Sequence, residues 1–257
     1  MNSNQYNKFN VFIGTPMYNG QCQGQYVKSL IDNIIDIKSR GHDFDYIFPD
    51  RESLIVRGRN MIADIFLKKT TCTHLFFIDA DIVFPSHAIR TLIEQDKDVI
   101  FTPYPKKIID WEKINVARLA NNVPSDFIKK LGAVYGFEPL STSNLDRNVP
   151  VEVKQGQTGF MCIKRSVLEK MSNSCRNISN ASHGAFSDVY KEFFSLSISE
   201  AGIYQSEDMD FCNKWRGLGG KIHMLAGIHL GHIGQHTYEG DLFTILDMTK
   251  QLNSVIY

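Results

Sequence analysis

No apolar run in this 257-residue chain approaches the roughly 18 residues of a membrane span. An excess of charge of one sign is missing too. Lys+Arg and Asp+Glu each number 28, so the formal net charge is zero. A general nucleic-acid binder carries a basic excess, so nucleic acid is not expected as a partner, although a local basic pocket for phosphate stays open. The five cysteines, Cys22, Cys72, Cys162, Cys175 and Cys212, are scattered and form no C-x-x-C pair. That argues against a disulfide framework or a zinc site. Met1–Tyr6 is polar and lacks a signal-peptide core. Together these absences lead us to expect a reducing, cytoplasmic compartment (host cytoplasm for a viral protein). Neither G-x-G-x-x-G nor G-x-x-x-x-G-K-[ST] occurs, which disfavours a dinucleotide fold and a P-loop ATPase. We find no internal repeat, linker or heptad.

What is present reads as a globular α/β protein. Hydrophobic residues make up 43% and charged residues 22%, ordinary values for a packed domain. Val11–Gly14, Asp45–Phe48, the apolar run ending at Asp79, and Asp98–Phe101 read as strands. Between them lie helical patterns: Val27, Leu30, Ile31, Ile34 and Ile35; then Ile55, Ile62, Ile65, Phe66 and Leu67; then a helix opened by Pro85. Strands alternating with helices imply βαβ units and a Rossmann-like, mostly parallel central sheet flanked by helices. Weak helical signal recurs around Ile114–Leu119 and Phe127–Leu131. Val151–Val153, Phe160–Ile163 and Lys221–Leu225 read as further strands, and Val167–Met171 and Asp208–Leu218 as helices. Residues 173–200, rich in Ser and Asn, read as an irregular insertion. We expect one domain over 1–257, with a nucleotide-binding half at 10–102, a half that completes the site at 103–240, and a terminal helix at 241–257.

The most informative stretch is Leu75-Phe76-Phe77-Ile78-Asp79-Ala80-Asp81. A buried strand ends abruptly in two carboxylates. On an extended chain, residues i and i+2 point to one side, so Asp79 and Asp81 can aim at one point beyond the strand. Ligands of open α/β sheets bind at that edge, and two oxygen donors there suit Mg²⁺ or Mn²⁺. The plainer alternative is a pair of strand-end acids facing water.

Further groups fall at corresponding places. Thr15-Pro16-Met17-Tyr18 follows the first strand, where a nucleotide pocket or a plain turn is expected. Arg57-Gly58-Arg59-Asn60 sits early in the second helix, suited to phosphate or equally to solvent. Tyr104-Pro105-Lys106-Lys107 follows the fourth strand. Gly156–Phe160 is either a close backbone approach to a ligand or a bulge. Ser206-Glu207-Asp208 precedes a helix: Ser206 can cap it and the acids favour its dipole, or a carboxylate serves as general base. His229–Gly234 places His232 between glycines, as a metal ligand or a structural histidine.

The order of these pieces resembles the metal-dependent nucleotide-sugar glycosyltransferases of the GT-A fold, over roughly Val11 to Gly234. It is similar in particular to small glycosyltransferases of large DNA viruses and phages, such as a chlorella-virus rhamnosyltransferase domain. The resemblance implies a single GT-A-like domain that uses Mn²⁺ or Mg²⁺, a UDP-linked donor and a glycan or glycoprotein acceptor. It implies metal ligation by Asp79, Asp81 and His232. Donor contacts fall to Thr15, Pro16, Tyr18, Arg57, Arg59, Asn60, Asp79, Ala80 and Lys106. Tyr104, Gly159 and Phe160 would border the acceptor, and Asp208, with Glu207, would act as base. An NDP-sugar-forming nucleotidyltransferase is the alternative. It would show a basic, Gly-rich loop after the first strand, yet Gly20–Gly24 has no basic residue before Lys28. A non-catalytic sugar- or nucleotide-binding module is a third reading.

Overall fold

The run His74–Ile78 folds as a strand because both of its faces are covered. Leu75 and Phe77 enter one hydrophobic cluster, and Phe76 and Ile78 the other. A strand buried on both sides needs an unbroken apolar run rather than an alternating one. The computed structural model describes residues 8–50, 52–119, 130–140, 146–179, 189–243, 245 and 247.

In chain order, β1 (Asn10–Gly14), α1 (Gly24–Ser39), β2 (Asp43–Ile47), α2 (Ile55–Lys69) and β3 (His74–Ile78) come first. Next are β4 (Ile82–Val83), α3 (Ala88–Glu94), β5 (Val99–Phe101), β6 (Pro105–Ile109), α4 (Trp111–Leu119), β7 (Ala133–Tyr135) and β8 (Glu138–Pro139). Then follow β9 (Val151–Gln155), β10 (Phe160–Lys164), α5 (Arg165–Ser172), β11 (Asn177–Ser179) and β12 (Val189–Lys191). The last are β13 (Ser197–Ile198), β14 (Tyr204–Gln205), α6 (Glu207–Gly217), β15 (Ile222–Met224), β16 (Gly231–Ile233) and β17 (Thr237–Glu239).

Eight strands form the central sheet in the order β2-β1-β3-β10-β5-β15-β9-β8. β2, β1 and β3 are parallel, as are β5 and β15. β10 runs against both of its neighbours, and β9 against β15 and β8. The sheet is therefore mostly parallel in strand direction, with two reversed strands that periodicity does not reveal. Helices α2, α5 and α6 pack on one face through Phe66, Leu168 and Trp215. Helices α1 and α3 pack on the other through Leu30 and Leu92.

The buried face of α1 differs from expectation. Val27, Ile31 and Ile35 are 38%, 51% and 61% exposed, whereas Tyr26, Ser29, Leu30, Asn33 and Ile37 are buried. Two of these are polar, and that misleads the pattern. Ser29 Oγ accepts from Phe84 N–H (3.1 Å). Asn33 donates to Pro85 O (2.8 Å) and accepts from Ile89 N–H (3.1 Å). Both side chains hold the start of α3, and so belong inside.

The segment 173–200 is also more ordered than its composition suggests. β11 pairs with β12, and the neighbouring Phe193 and Phe194 are fully buried. Phe194 stacks on Phe211 of α6 (4.7 Å, 13°). Of the expected helical segment Phe127–Leu131, residues 127–129 lie outside the described residues. Met1–Tyr6, residues 180–188 and most of the expected 241–257 helix lie outside the described residues.

Asn60 anchors that segment. Its amide donates to Phe194 O (2.7 Å) and accepts from Phe194 N–H (2.9 Å). Asn60→Ala would strip both partners from a buried backbone, at a cost of about 2–4 kcal/mol. We expect calorimetry to show a drop of roughly 5–15 °C in Tm. An unchanged Tm would refute the clamp.

Candidate active site

The ends of β1, β3 and β5 meet at one edge of the sheet, together with the start of the reversed β10. There Asp79 N–H donates to Gly159 O (2.9 Å) and Thr102 N–H to Phe160 O (3.2 Å). This is the crevice in which open α/β sheets bind ligands. A cleft of about 650 Å³ opens there, lined on one side by Pro16, Tyr18 and Cys22 and on the other by Asp79, Ala80, Asp81 and His232. Tyr18 is 65% exposed and free to present its ring to a ligand. The two aspartates reach this cleft from a turn rather than from the strand itself, since Ile82 N–H donates to Asp79 O (3.1 Å). Each is held by its own cation.

Asp81 lies between Lys107 and His232. Lys107 Nζ is 2.5 Å from Asp81 Oδ2, and His232 Nε2 is 3.4 Å from Asp81 Oδ1. Burial works against the Asp81 charge, but His232 and Lys107 outweigh it and hold the carboxyl below its usual range. His232 Nδ1 lies 2.9 Å from Pro105 O. A carbonyl only accepts, so Nδ1 carries the proton. In the neutral ring the Nε2 lone pair then faces the Asp81 carboxylate. Two lone pairs in opposition call for a cation between them, either a proton or a metal ion. Metal-ligating histidines commonly donate their other N–H to a carbonyl in this way. The Tyr104 ring packs edge-on against the imidazole (5.2 Å, 83°) and fixes its plane.

Asp79 turns the other way. Arg59 Nη2 bonds both of its oxygens (3.1 and 3.3 Å), and Arg59 Nε reaches Glu207 Oε1 (3.4 Å). The guanidinium is 2% exposed. Burial opposes its charge, yet Asp79, Asp208 and Glu207 together raise its pKa. Asp208 accepts a short hydrogen bond from Thr158 Oγ1. Its pKa is pushed up to about 7, first by burial, against the pull of Arg59, with Glu207 adding to the rise. Gly159 allows this crowding, because a Cβ there would collide with Tyr104 Oη and Asp79 Oδ2. Its N–H donates to Tyr104 Oη (3.1 Å).

Asp208 also borders a second cavity, of about 320 Å³, with Lys106, Tyr135, Phe137 and Gln157. The Arg59-centred acids therefore sit between two openings: Asp79 faces one and Asp208 the other.

Several expected contact residues prove to be supports. Thr15 is fully buried and its hydroxyl bonds Tyr26 Oη (2.5 Å). Arg57 is paired with Glu52. Arg59 and Asn60 are buried; Arg59 pairs with carboxylates through Nε and Nη2, its Nη1 having no partner among the described residues, and Asn60 is satisfied by Phe194. Phe160 is core, edge-on to Phe76 (4.9 Å). Tyr104 and Gly159 are buried behind the cavity wall rather than on it. Lys106 lines the second cavity instead of the first, because successive residues of a strand point to opposite sides. Its neighbour Lys107 is the one that reaches Asp81. Ser206 is the N-cap residue of α6 but makes no side-chain capping bond. Among the described residues, no three His, Cys, Asp or Glu side chains assemble around one point. The expected trio is broken by Arg59, which takes Asp79. Gln157 and Thr158 stand out in sequence only as part of the Gly156–Phe160 stretch, whose backbone and not whose side chains was the expected ligand contact.

The sequence matches no family model and no curated protein. Among solved structures it is similar to one described as A197 from STIV. The identity is 14% over 90% of this chain and 94% of that one, with a TM-score of 0.49. It is also similar to GalNAc-T7 with UDP, GalNAc and Mn²⁺, at 10% identity over 96% of this chain and a TM-score of 0.46. The chain spans about half (48%) of the length of that second structure. Both scores lie below 0.5, so neither likeness bears on the chemistry of the site.

Arg59→Met would leave Asp79, Glu207 and Asp208 without their shared cation. Breaking a buried pair typically costs roughly 3–5 kcal/mol. The stranded acids can protonate at low pH, so the loss should be larger at pH 8 than at pH 5. Urea unfolding at both values checks this, and a loss independent of pH would contradict the assignment.

Proposed function

We propose that this chain is a metal-dependent glycosyltransferase. It moves a sugar from a nucleotide-sugar donor, UDP-linked by resemblance, to a hydroxyl of a glycan or glycoprotein acceptor. The observation that carries this reading is the pair of cavities joined by one acid cluster. Group transfer needs two substrates that meet at one point, with a base on the acceptor side. In this reading residues 10–102 supply the donor half, 103–240 complete the metal site and acceptor half, and 241–257 close the chain.

Tyr18 and Pro16 border the nucleotide, with Ala80 at the floor of the cleft. Asp81 and His232 would hold Mg²⁺ or Mn²⁺. A two-residue site fits such an ion, which commonly takes its remaining ligands from phosphates and water. When bound, it neutralises charge growing on the diphosphate leaving group. Lys107, beside Asp81, adds positive charge at the same place. Asp79 is oriented by Arg59 toward the donor. On the other side, Asp208 accepts the proton of the acceptor hydroxyl as that oxygen attacks the sugar. Thr158 and Arg59 fix the carboxylate's position, and burial, with Glu207 beside it, keeps its proton affinity high enough for the task.

A base with a pKa near 7 is ionised only above that value. Release of nucleoside diphosphate should therefore rise about tenfold per pH unit below pH ~7 and level off above it. Asp208→Asn should lose roughly 10²–10⁴ in kcat and flatten the profile. A full-rate Asp208→Asn variant would sink the assignment.

Lys107 competes with any cation for Asp81. Calorimetric titration with Mn²⁺ alone should show several-fold tighter binding for Lys107→Gln and none for Asp81→Asn. Equal binding by all three proteins would remove Asp81 from the metal site.

A further inference from the structure

We infer that the cavity beside Asp208 selects an acceptor sugar carrying an anionic group, held by Lys106 and Gln157; the inference rests on the glycosyltransferase assignment. Lys106 has no ion-pair or hydrogen-bond partner among the described residues, unlike Lys107 one residue away, which is bound to Asp81. Lys106 is exposed at the mouth of the cavity, and its stem passes over Gly136. A Cβ added to Gly136 would lie 2.8 Å from Lys106 Cε and 3.4 Å from Gln157 Nε2. The lysine stem and the glutamine amide thus converge over the bare backbone of Gly136.

The orientation of Gln157 is fixed. Its Oε1 accepts from Tyr104 N–H (3.2 Å), and an N–H only donates, so the amide nitrogen is the end left over. That nitrogen has no acceptor among the described residues, and Gln157 is 93% buried by its 7% exposure. The cavity therefore presents an ammonium and an amide N–H₂ side by side, with nothing to receive them. Glu138, the nearby acid on the wall, is already paired with Lys154 (2.6 Å). Asp208 sits across the cavity as the base.

A bound sugar would displace water from the ammonium. Burying that charge is costly unless an opposite charge meets it. A neutral hydroxyl leaves the cost uncompensated, whereas a carboxylate or phosphate on the sugar offsets it and accepts from both donors. Tyr135 and Phe137, with ring centroids 6.4 Å apart, line the same space and offer apolar faces to a pyranose ring. A volume of about 320 Å³ is at the small end for ligand pockets, which suits a single sugar unit.

The test is calorimetric or NMR binding of glucuronate, glucose 6-phosphate and glucose to the full chain, in wild type, Lys106→Gln and Lys106→Glu. We expect one anionic sugar to bind at least tenfold tighter than glucose. The better anion identifies the group as carboxylate or phosphate. Lys106→Gln should erase the preference, and Lys106→Glu should invert it toward glucose. Equal affinity for all three sugars, no binding of any, or a preference that survives Lys106→Gln would overturn the inference. Hydrolysis of UDP-sugars with Mn²⁺, assayed in the same wild-type protein, separates the two failures. Hydrolysis without anion preference removes this inference alone. Anion preference without any nucleotide affinity removes the transferase assignment and leaves an anionic-sugar binding site.

Discussion

The site is organised by one buried cation. Arg59 enters from the second turn of α2 and meets Asp79 at the end of β3 and Glu207 at the start of α6. Asp208 lies within its field. These acids come from elements far apart in sequence, and like charges so close would drive them apart or force their protonation. Arginine suits this role because it stays charged at any working pH and offers a planar fork of donors. The Phe77 ring lies under the guanidinium at 5.4 Å, so the core strand that carries the aspartates also supports their cation. Loss of this ion would loosen both cavities together. For that reason we read Arg59 as the element that relates donor side to acceptor side, rather than as a contact to either substrate.

Strand geometry distributes the remaining charges. β6 carries Lys106 and Lys107 in sequence, and a strand sends neighbours to opposite sides. One ammonium therefore neutralises Asp81 at the first cleft, while the other stands in the second. The carbonyl of Pro105, at the head of the same strand, fixes the tautomer of His232. A single five-residue strand thus sets the electrostatics of both openings. Its position follows from β5, whose end leads into it, and β5 is held in the sheet by the reversed strand β10.

The fold was legible where burial is one-sided in its demands. The apolar run of β3 and the βαβ alternation lead to the sheet and to its ligand-binding edge. Asp79, Asp81, His232 and Asp208 all stand at that edge, as their order along the chain suggested. Illegible were the features in which polar side chains serve the interior. Ser29 and Asn33 fall outside the apolar positions that mark α1 in sequence, yet they hold α3, and the apolar face of α1 was misplaced accordingly. Arg57, Arg59 and Asn60 read as phosphate contacts because residue type carries no sign of direction. Arg57 pairs locally with Glu52, while Arg59 and Asn60 turn inward to partners that only tertiary structure supplies, the acid cluster and the backbone of Phe194. The reversed direction of β10 and the role of Gln157 were hidden for the same reason. Each depends on contacts across more than fifty residues of chain.

The state of Asp208 bears on its proposed role as base. A carboxyl whose proton affinity is higher in the folded than in the unfolded chain stabilises the fold fully below its unfolded pKa. That contribution is lost as the pH rises through the folded value, about 7 here. As the pH rises past neutrality the fold therefore carries a desolvation cost at this residue that Arg59 and Thr158 offset only in part. An asparagine would make the bond to Thr158 without it. A module that only bound sugar would gain nothing from an acid held in this condition, and stability alone would favour its replacement. A base that must pick up a proton near neutrality needs this proton affinity. An acid cluster between two cavities, with a carboxyl tuned in this way, fits the proposed transfer between two substrates better than simple retention of one.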